Sequence, residues 1–152
     1  MSKQSGKPPV MRRFSDLGDD LDIRYATGFS EFDRVLGGGL LPGAVVLVGG
    51  DPGVGKSTLL QQVSARLPDD VQVCYASGEE SLRQIGQRAE RLGLTGDNLA
   101  LLADTSLDNV LRVATESRAS VVVIDSMQTM SVGDVASAAG SVSQLREPVS
   151  RI

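Results

Sequence analysis

A motif in the first half of the chain has the composition of a phosphate-binding loop. Gly50–Ser57 matches the pattern G-x-x-x-x-G-K-[ST] at each of its fixed positions. Glycines leave room for phosphate oxygens, and the backbone N–H groups at the start of a following helix point toward one spot that attracts anions. We therefore predict that the chain binds a nucleoside triphosphate at Gly50–Ser57, which we call the phosphate loop.

Individual residues of the phosphate loop have separate predicted roles. We expect the Lys56 ammonium to contact the β- and γ-phosphates as a catalytic group, and the Ser57 hydroxyl to bind Mg²⁺. Thr58 supplies another hydroxyl, which we place near the α-phosphate. The residues predicted to contact the nucleotide are Gly50, Asp51, Pro52, Gly53, Val54, Gly55, Lys56, Ser57 and Thr58.

An aspartate follows the most apolar run in the second half of the chain. Val121–Ile124 is entirely aliphatic, and Asp125 comes directly after it. An aliphatic run followed by an aspartate also occurs in many strands that bind no metal. In phosphate-loop ATPases, however, an acid at this position holds the Mg²⁺ hydration shell beside the loop hydroxyl. Because a phosphate loop precedes it, we predict that Asp125 joins Ser57 in the magnesium site.

Two more acids follow another predicted strand. Glu79 and Glu80 come at the carboxyl edge of the sheet, where ligands collect in open α/β folds. One carboxylate there could orient or deprotonate an attacking water, and we favour Glu79 because it comes sooner after the strand. Glu80 then sets local charge or pairs with an arginine. The alternative for both acids is a solvated acidic turn. Gln128 is equally compatible with a γ-phosphate contact and with a surface position.

Strands and helices alternate along the chain, which is typical of the α/β class. Highly apolar strands indicate a parallel sheet that is covered by helices on both faces. The predicted strands are Ala44–Val48, Val71–Ser77, Leu99–Ala103 and Val121–Ile124. The main predicted helices run from the phosphate loop to Leu67, over Ser81–Leu92, and over Leu107–Ser117.

Composition limits the kinds of binding site and the cellular compartment that fit this chain. The chain has 152 residues, enough for one domain, with a net charge of −4 that leaves nucleic-acid binding undecided. A single cysteine, Cys74, and the absence of histidine argue against a zinc site and favour a reducing cytoplasm. The apolar runs are too short to cross a membrane. Residues 1–21 are expected to form a flexible arm or linker, and residues 22–152 the folded core.

Several separate motifs occur in an order that resembles one family. The approach to the phosphate loop, from Thr27 to Gly43, is similar to that of RecA-like ATPase cores. The further match is narrower and resembles the bacterial RadA (Sms) family. It is carried by Gly49–Thr58, Tyr75–Ser81, Arg88–Leu92, Val123–Thr129 and Gly140–Glu147.

This resemblance implies a DNA-dependent, helicase-like ATPase of recombinational DNA repair. It implies ATP and Mg²⁺ as cofactors, and single-stranded or branched DNA, a recombinase and a homo-oligomeric ring as partners. It also assigns Glu79 as the base, Lys56 and Ser57 to the phosphates and Mg²⁺, and Asp125 to the metal shell.

The chain departs from the family pattern at both ends. The family opens with a four-cysteine zinc module, and Met1–Arg13 contains no cysteine. The family also continues with another core strand, a basic motif and a protease-like domain. That strand lies between the phosphate-loop strand and the aspartate strand. We therefore expect a truncated RecA-like core with an incomplete sheet.

Two other functions fit the same motifs. One is a RecA-like signalling ATPase or phosphotransferase that does not use DNA. The other is a nucleotide-binding fragment without catalysis. Residues Gly140–Glu147 favour the DNA-repair interpretation over the first of these.

Overall fold

The protein is described here from a computed structural model, which covers Arg13 and residues 23–132. Apart from Arg13, the predicted arm at 1–21 lies outside the described residues, as does the segment 133–152. The helices are α1 (Ser30–Val35), α2 (Lys56–Arg66), α3 (Leu82–Arg91) and α4 (Leu107–Glu116). The strands are β1 (Val73–Ser77), β2 (Leu99–Ala103) and β3 (Val121–Asp125).

The three strands form a parallel sheet in the order β2-β1-β3. Their carboxyl ends are level, because Ser77 is the register partner of both Ala103 and Asp125. The residues that directly follow β1, β2 and β3 therefore meet at one edge of the sheet. This arrangement confirms the predicted α/β class with a parallel sheet.

Each face of the sheet packs against a different part of the chain. On one face, Val73 of β1 packs with Leu67, the residue directly after α2. On the other face, Ala76 of β1 packs with Val110 of α4 and with Met130. Since side chains alternate along a strand, the odd-numbered residues of β1 and β3 face α2 and the even-numbered ones face α4.

Local sequence fixes where the helices begin and end. Ser81 and Gln84 form a capping box at the start of α3, and the Ser106 hydroxyl accepts a hydrogen bond from an amide in the first turn of α4. Pro68 comes two residues after the end of α2, directly after the C-cap Leu67, and cannot continue the helix. Within the described residues, no helix has the length and apolar character needed to cross a membrane.

The strand predicted at Ala44–Val48 is wrong. These residues have no regular secondary structure, and Val45 and Leu47 are 56% and 81% exposed. A strand needs a neighbour to pair with its backbone N–H and C=O groups. Among the described residues, β3 pairs only with β1, and no strand pairs with Ala44–Val48. We call Ala44–Val48 the apolar segment.

Candidate active site

The phosphate loop leads directly into α2. Gly55 is the residue before the helix and has φ 105°, a left-handed conformation that strongly favours glycine. No side chain caps this end of α2. Because the first amides of a helix have no partner inside the helix, they are available here to an anion.

The Lys56 ammonium is bound by the loop itself. Its Nζ donates to the backbone oxygens of Gly50 at 2.7 Å and Asp51 at 2.8 Å. These bonds hold the positive charge over the loop. A phosphate group would compete with the two carbonyl oxygens for the same ammonium.

Ser57 lies on the side of α2 that faces the sheet. Gln61 and Ser64 follow it on the same side of the helix and are both buried, and α2 contacts β1 and β3. Asp125 is an odd-numbered residue of β3 and so is on the face of the sheet toward α2. Ser57 and Asp125 therefore lie on the facing sides of α2 and the sheet, and their shared role in a magnesium site stays a prediction.

Asp125 is held by a buried tyrosine on the neighbouring strand. The Tyr75 hydroxyl donates to Asp125 Oδ2 at 2.6 Å, and Tyr75 is 0% exposed. Within the described part of the chain, no hydrogen bond uses Asp125 Oδ1. Carboxylate and hydroxyl oxygens are ligands that Mg²⁺ prefers, so Asp125 and Ser57 fit this ion chemically.

Burial also determines the protonation of Tyr75. Loss of solvent, followed by the hydrogen bond to Asp125, raises the pKa of the Tyr75 phenol well above its ordinary value. The phenol therefore remains a donor to the carboxylate at physiological pH. Burial likewise raises the pKa of the adjacent Cys74 thiol, which fits a packing role for this residue.

Glu79 receives a hydrogen bond from the residue that directly follows β3. The Ser126 hydroxyl donates to Glu79 Oε1 at 2.7 Å. Ser126 directly follows Asp125, so the two predicted functional acids lie at the same edge of the sheet. Glu79 itself is exposed, which leaves its carboxylate accessible to water.

The loop that carries Glu79 is held closely against both strands. The buried Ser77 hydroxyl accepts hydrogen bonds from the amides of Glu79 at 3.3 Å and Glu80 at 3.0 Å. The Gly78 amide donates to the Asp125 backbone oxygen at 3.2 Å. A methyl group on Gly78 would overlap the Thr129 hydroxyl, so only glycine fits here without displacement.

Glu80 is occupied by an ion pair with Arg88 of α3. Both side chains are mostly buried, and the bond ties the loop to the helix that follows it. Glu79 and Glu80 therefore differ in surroundings: one is exposed and the other is paired.

A cavity of about 480 Å³ opens beside Glu79 at the ends of β1 and β2. It is lined by Ser77, Gly78, Glu79, Glu80, Ala103, Asp104 and Thr105. Gln128 is exposed in the short 3₁₀ turn Met127–Thr129. Thr58 lies in the first turn of α2.

Sequence reasoning missed the residues that hold the two acids. Tyr75 and Ser126 sit inside motifs that were recognised, yet their contacts span 50 and 47 positions of the chain. The signal available for Tyr75 was its hydroxyl, a polar group in the interior of a largely apolar strand. Only the strand register shows which acid it reaches.

The sheet and the loop together define a class. A helix that starts at a phosphate loop and packs on a parallel sheet with acids at its carboxyl edge is the architecture of a P-loop nucleotide-binding domain. More particularly, the chain belongs to the AAA domain family, which it matches over residues 12–152.

Within this family, the chain is similar to DNA repair proteins of several bacteria. The chain is 48% identical over 137 residues to the DNA repair protein RadA of Escherichia coli (strain K12), which covers 90% of this chain and 30% of that protein. It is 50% identical over 144 residues to the DNA repair protein RadA of Listeria monocytogenes, covering 94% and 32%. The corresponding protein of Aquifex aeolicus is 42% identical over 146 residues, covering 96% and 33%.

These comparisons confirm the resemblance to the RadA family that the motifs indicated. The chain spans about a third of the length of the curated relatives it matches.

Proposed function

We propose that the chain forms the ATP-binding part of a DNA-dependent ATPase of recombinational DNA repair. The observation that carries the catalytic part of this proposal is the meeting of Asp125 and Glu79 at one sheet edge, linked through the Ser126 hydroxyl. The uncapped start of α2 behind the phosphate loop supports the nucleotide part. The similarity to DNA repair proteins RadA supports the process.

In this mechanism the chain binds ATP and Mg²⁺ with the phosphate loop, Gly50–Ser57, and Thr58. Lys56 leaves the loop oxygens for the β- and γ-phosphates, and Ser57 and Asp125 hold Mg²⁺, which neutralises phosphate charge when bound. Glu79 orients or deprotonates the attacking water. Its exposure supports this choice over Glu80, whose carboxylate is paired with Arg88.

We further propose that another strand completes the sheet between β3 and the apolar segment. Within the described residues β3 pairs on one side only, and Val45, Val46 and Leu47 of the apolar segment are exposed. A strand in this place would pair with the backbone of both neighbours and would fix the phosphate loop against the acids.

The proposed partners rest on the resemblance to the RadA family, and the proposed location rests on the reducing compartment that a single cysteine favours. We propose that the full-length protein acts in the cytoplasm as a homo-oligomeric ring on single-stranded or branched DNA, where it processes recombination intermediates with a recombinase. The alternatives are a signalling ATPase that does not use DNA and a nucleotide-binding domain without turnover.

ATP hydrolysis by the full-length protein, with and without single-stranded DNA, tests the proposed function. We expect DNA to stimulate hydrolysis, and Lys56→Ala to weaken the binding of a fluorescent ATP analogue by about 10-fold or more, because a charge-assisted contact is lost. Arg112→Ala is the control, since this cation is exposed on α4 and pairs only with Glu116 among its described ion pairs. A hydrolysis rate that DNA does not change would favour the signalling alternative. An unchanged nucleotide affinity in Lys56→Ala would refute the phosphate-loop assignment.

A further inference from the structure

We propose that Tyr75 and Ser126 are positioning residues for the two acids of the candidate site. The inference rests on the proposed ATPase function and deepens it. Tyr75 of β1 holds Asp125 of β3, and Ser126, which follows β3, holds Glu79, which follows β1. Each strand therefore supplies one acid and the hydroxyl that orients the acid of the other strand.

The Tyr75 bond fixes the direction of the Asp125 carboxylate. Tyr75 is 0% exposed, so its ring is locked by packing and its hydroxyl has a fixed position. With Oδ2 accepting the phenol proton at 2.6 Å, the carboxylate cannot rotate freely, and Oδ1 is left for an ion. Partners behind a metal ligand commonly tune metal affinity in this way.

The Ser126 bond has a different consequence, because Glu79 is exposed. An exposed glutamate samples many rotamers, and restricting them costs conformational entropy. The hydrogen bond at 2.7 Å selects one carboxylate position next to the end of β3. Ser126 therefore pre-organises Glu79 relative to Asp125, which is its neighbour in sequence.

A backbone hydrogen bond between the same two segments supports both side-chain bonds. Gly78 donates to the Asp125 backbone oxygen, so the loop before Glu79 is tied to the same end of β3. Three cross-strand bonds thus hold two acids that are far apart in sequence. The arrangement orders both acids before any ligand binds.

Tyr75→Phe tests the first bond, because it removes one oxygen and keeps the buried ring. In the full-length protein we expect the Mg²⁺ concentration needed for tight binding of a fluorescent ATP analogue to rise by about 10-fold. Affinity for the analogue without Mg²⁺ should stay within about twofold, since the phosphate loop is untouched. Tyr25→Phe is the matched control, because Tyr25 is the only other tyrosine and packs near Val73 at the start of β1, whereas Asp125 lies beside the end of that strand.

Ser126→Ala tests the second bond. We expect kcat to fall by about 10-fold while nucleotide affinity stays within about twofold, and Ser126→Thr to recover most of the rate because it restores a hydroxyl. Ser117→Ala is the control, since its hydroxyl bonds the end of α4. Melting curves for every variant establish that each one is folded.

The outcomes separate this inference from the proposed function. If Lys56→Ala abolishes nucleotide binding but Tyr75→Phe leaves the Mg²⁺ dependence unchanged, the role of Tyr75 is refuted while the ATPase proposal stands. An unchanged kcat in Ser126→Ala, or an equal loss in Ser126→Thr, refutes the role of Ser126. If Lys56→Ala binds nucleotide normally, the proposed function itself fails.

Discussion

The two halves of the candidate site are built in opposite ways. The acid half, formed by Ser77–Glu80 and Asp125–Thr129, is held by hydrogen bonds between neighbouring strands. The phosphate half, formed by the apolar segment and the phosphate loop, is exposed over most of its length. Tyr75, which donates to Asp125, is 0% exposed, whereas Leu47, which precedes the phosphate loop, is 81% exposed.

This difference shows which half the described residues can organise by themselves. The strands that carry the acids pair with each other, so their loops have fixed supports. The apolar segment has the composition of a strand but no described partner. A strongly apolar sequence therefore predicts a strand only when another strand is present to complete its hydrogen bonds.

Glycines in the two halves are needed for different reasons. At Gly53 the backbone has φ 80°, and no atom outside its neighbours lies within 4 Å of an added methyl group. At Gly78 the constraint is space, because a methyl group would meet the Thr129 side chain. The first requirement is conformational and the second is steric.

Gly78→Ala is the substitution for which we expect the largest effect on activity. The added methyl group must displace Thr129 or the Glu79 loop, which would break the bonds that position both acids. We expect a loss of about 2–3 kcal/mol in the free energy of unfolding and a fall in kcat of about 100-fold. Denaturant unfolding and steady-state ATP hydrolysis measure the two effects.

Two further variants check the cause of that loss. Gly53→Ala should cost about 1 kcal/mol, because it strains the backbone without a clash. Thr129→Ala in the Gly78→Ala background should recover part of the stability, since it removes the overlapping hydroxyl. Equal losses in Gly53→Ala and Gly78→Ala would contradict the contrast between the two halves.

Asn98→Ala has a smaller expected effect and concerns the anchoring of α2. The buried Asn98 amide donates to the backbone oxygens of Pro68 at 3.2 Å and Val71 at 3.0 Å, just beyond the end of α2. The helix is therefore fixed at the end away from the phosphate loop. Losing these bonds should lower the free energy of unfolding by about 2 kcal/mol, as measured by denaturant titration.

Asn109→Ala is the matched control for Asn98→Ala. Asn109 donates to Asp104 at the surface, so its removal should cost about 0.5 kcal/mol or less. A similar loss in both variants would show that burial of Asn98 contributes nothing to the anchor.

The sequence was a good guide where structure depends on near neighbours. Leu99–Ala103 is a strand with the predicted bounds, and Ser81 and Ser106 start helices where polar caps precede apolar periodicity. These features depend on residues a few positions apart. Propensity and capping therefore suffice to locate them.

Features that depend on strand register were beyond the same reasoning. The bond between Tyr75 and Asp125 requires β1 and β3 to be adjacent, parallel and aligned at Ser77. Likewise, the apolar segment failed as a predicted strand because pairing is a property of two segments. The residue types at the site were predictable, but the contacts that orient them were not.

Leu47→Asn has the smallest expected effect and tests the phosphate half directly. In this chain the substitution should change the free energy of unfolding by about 0.5 kcal/mol or less, because the side chain is already in water. Val73→Asn is the buried counterpart, since Val73 is 1% exposed on β1, and it should cost about 3 kcal/mol. Denaturant titration of both variants gives the comparison.

The same substitution in the full-length protein tests the proposed additional strand. If that strand covers the apolar segment, Leu47→Asn should become clearly more destabilising there than in this chain, because the leucine is then removed from water. Equal, small effects in both proteins would mean that Leu47 stays exposed and that no strand covers it. A large effect in this chain alone would contradict the exposed phosphate half on which the comparison depends.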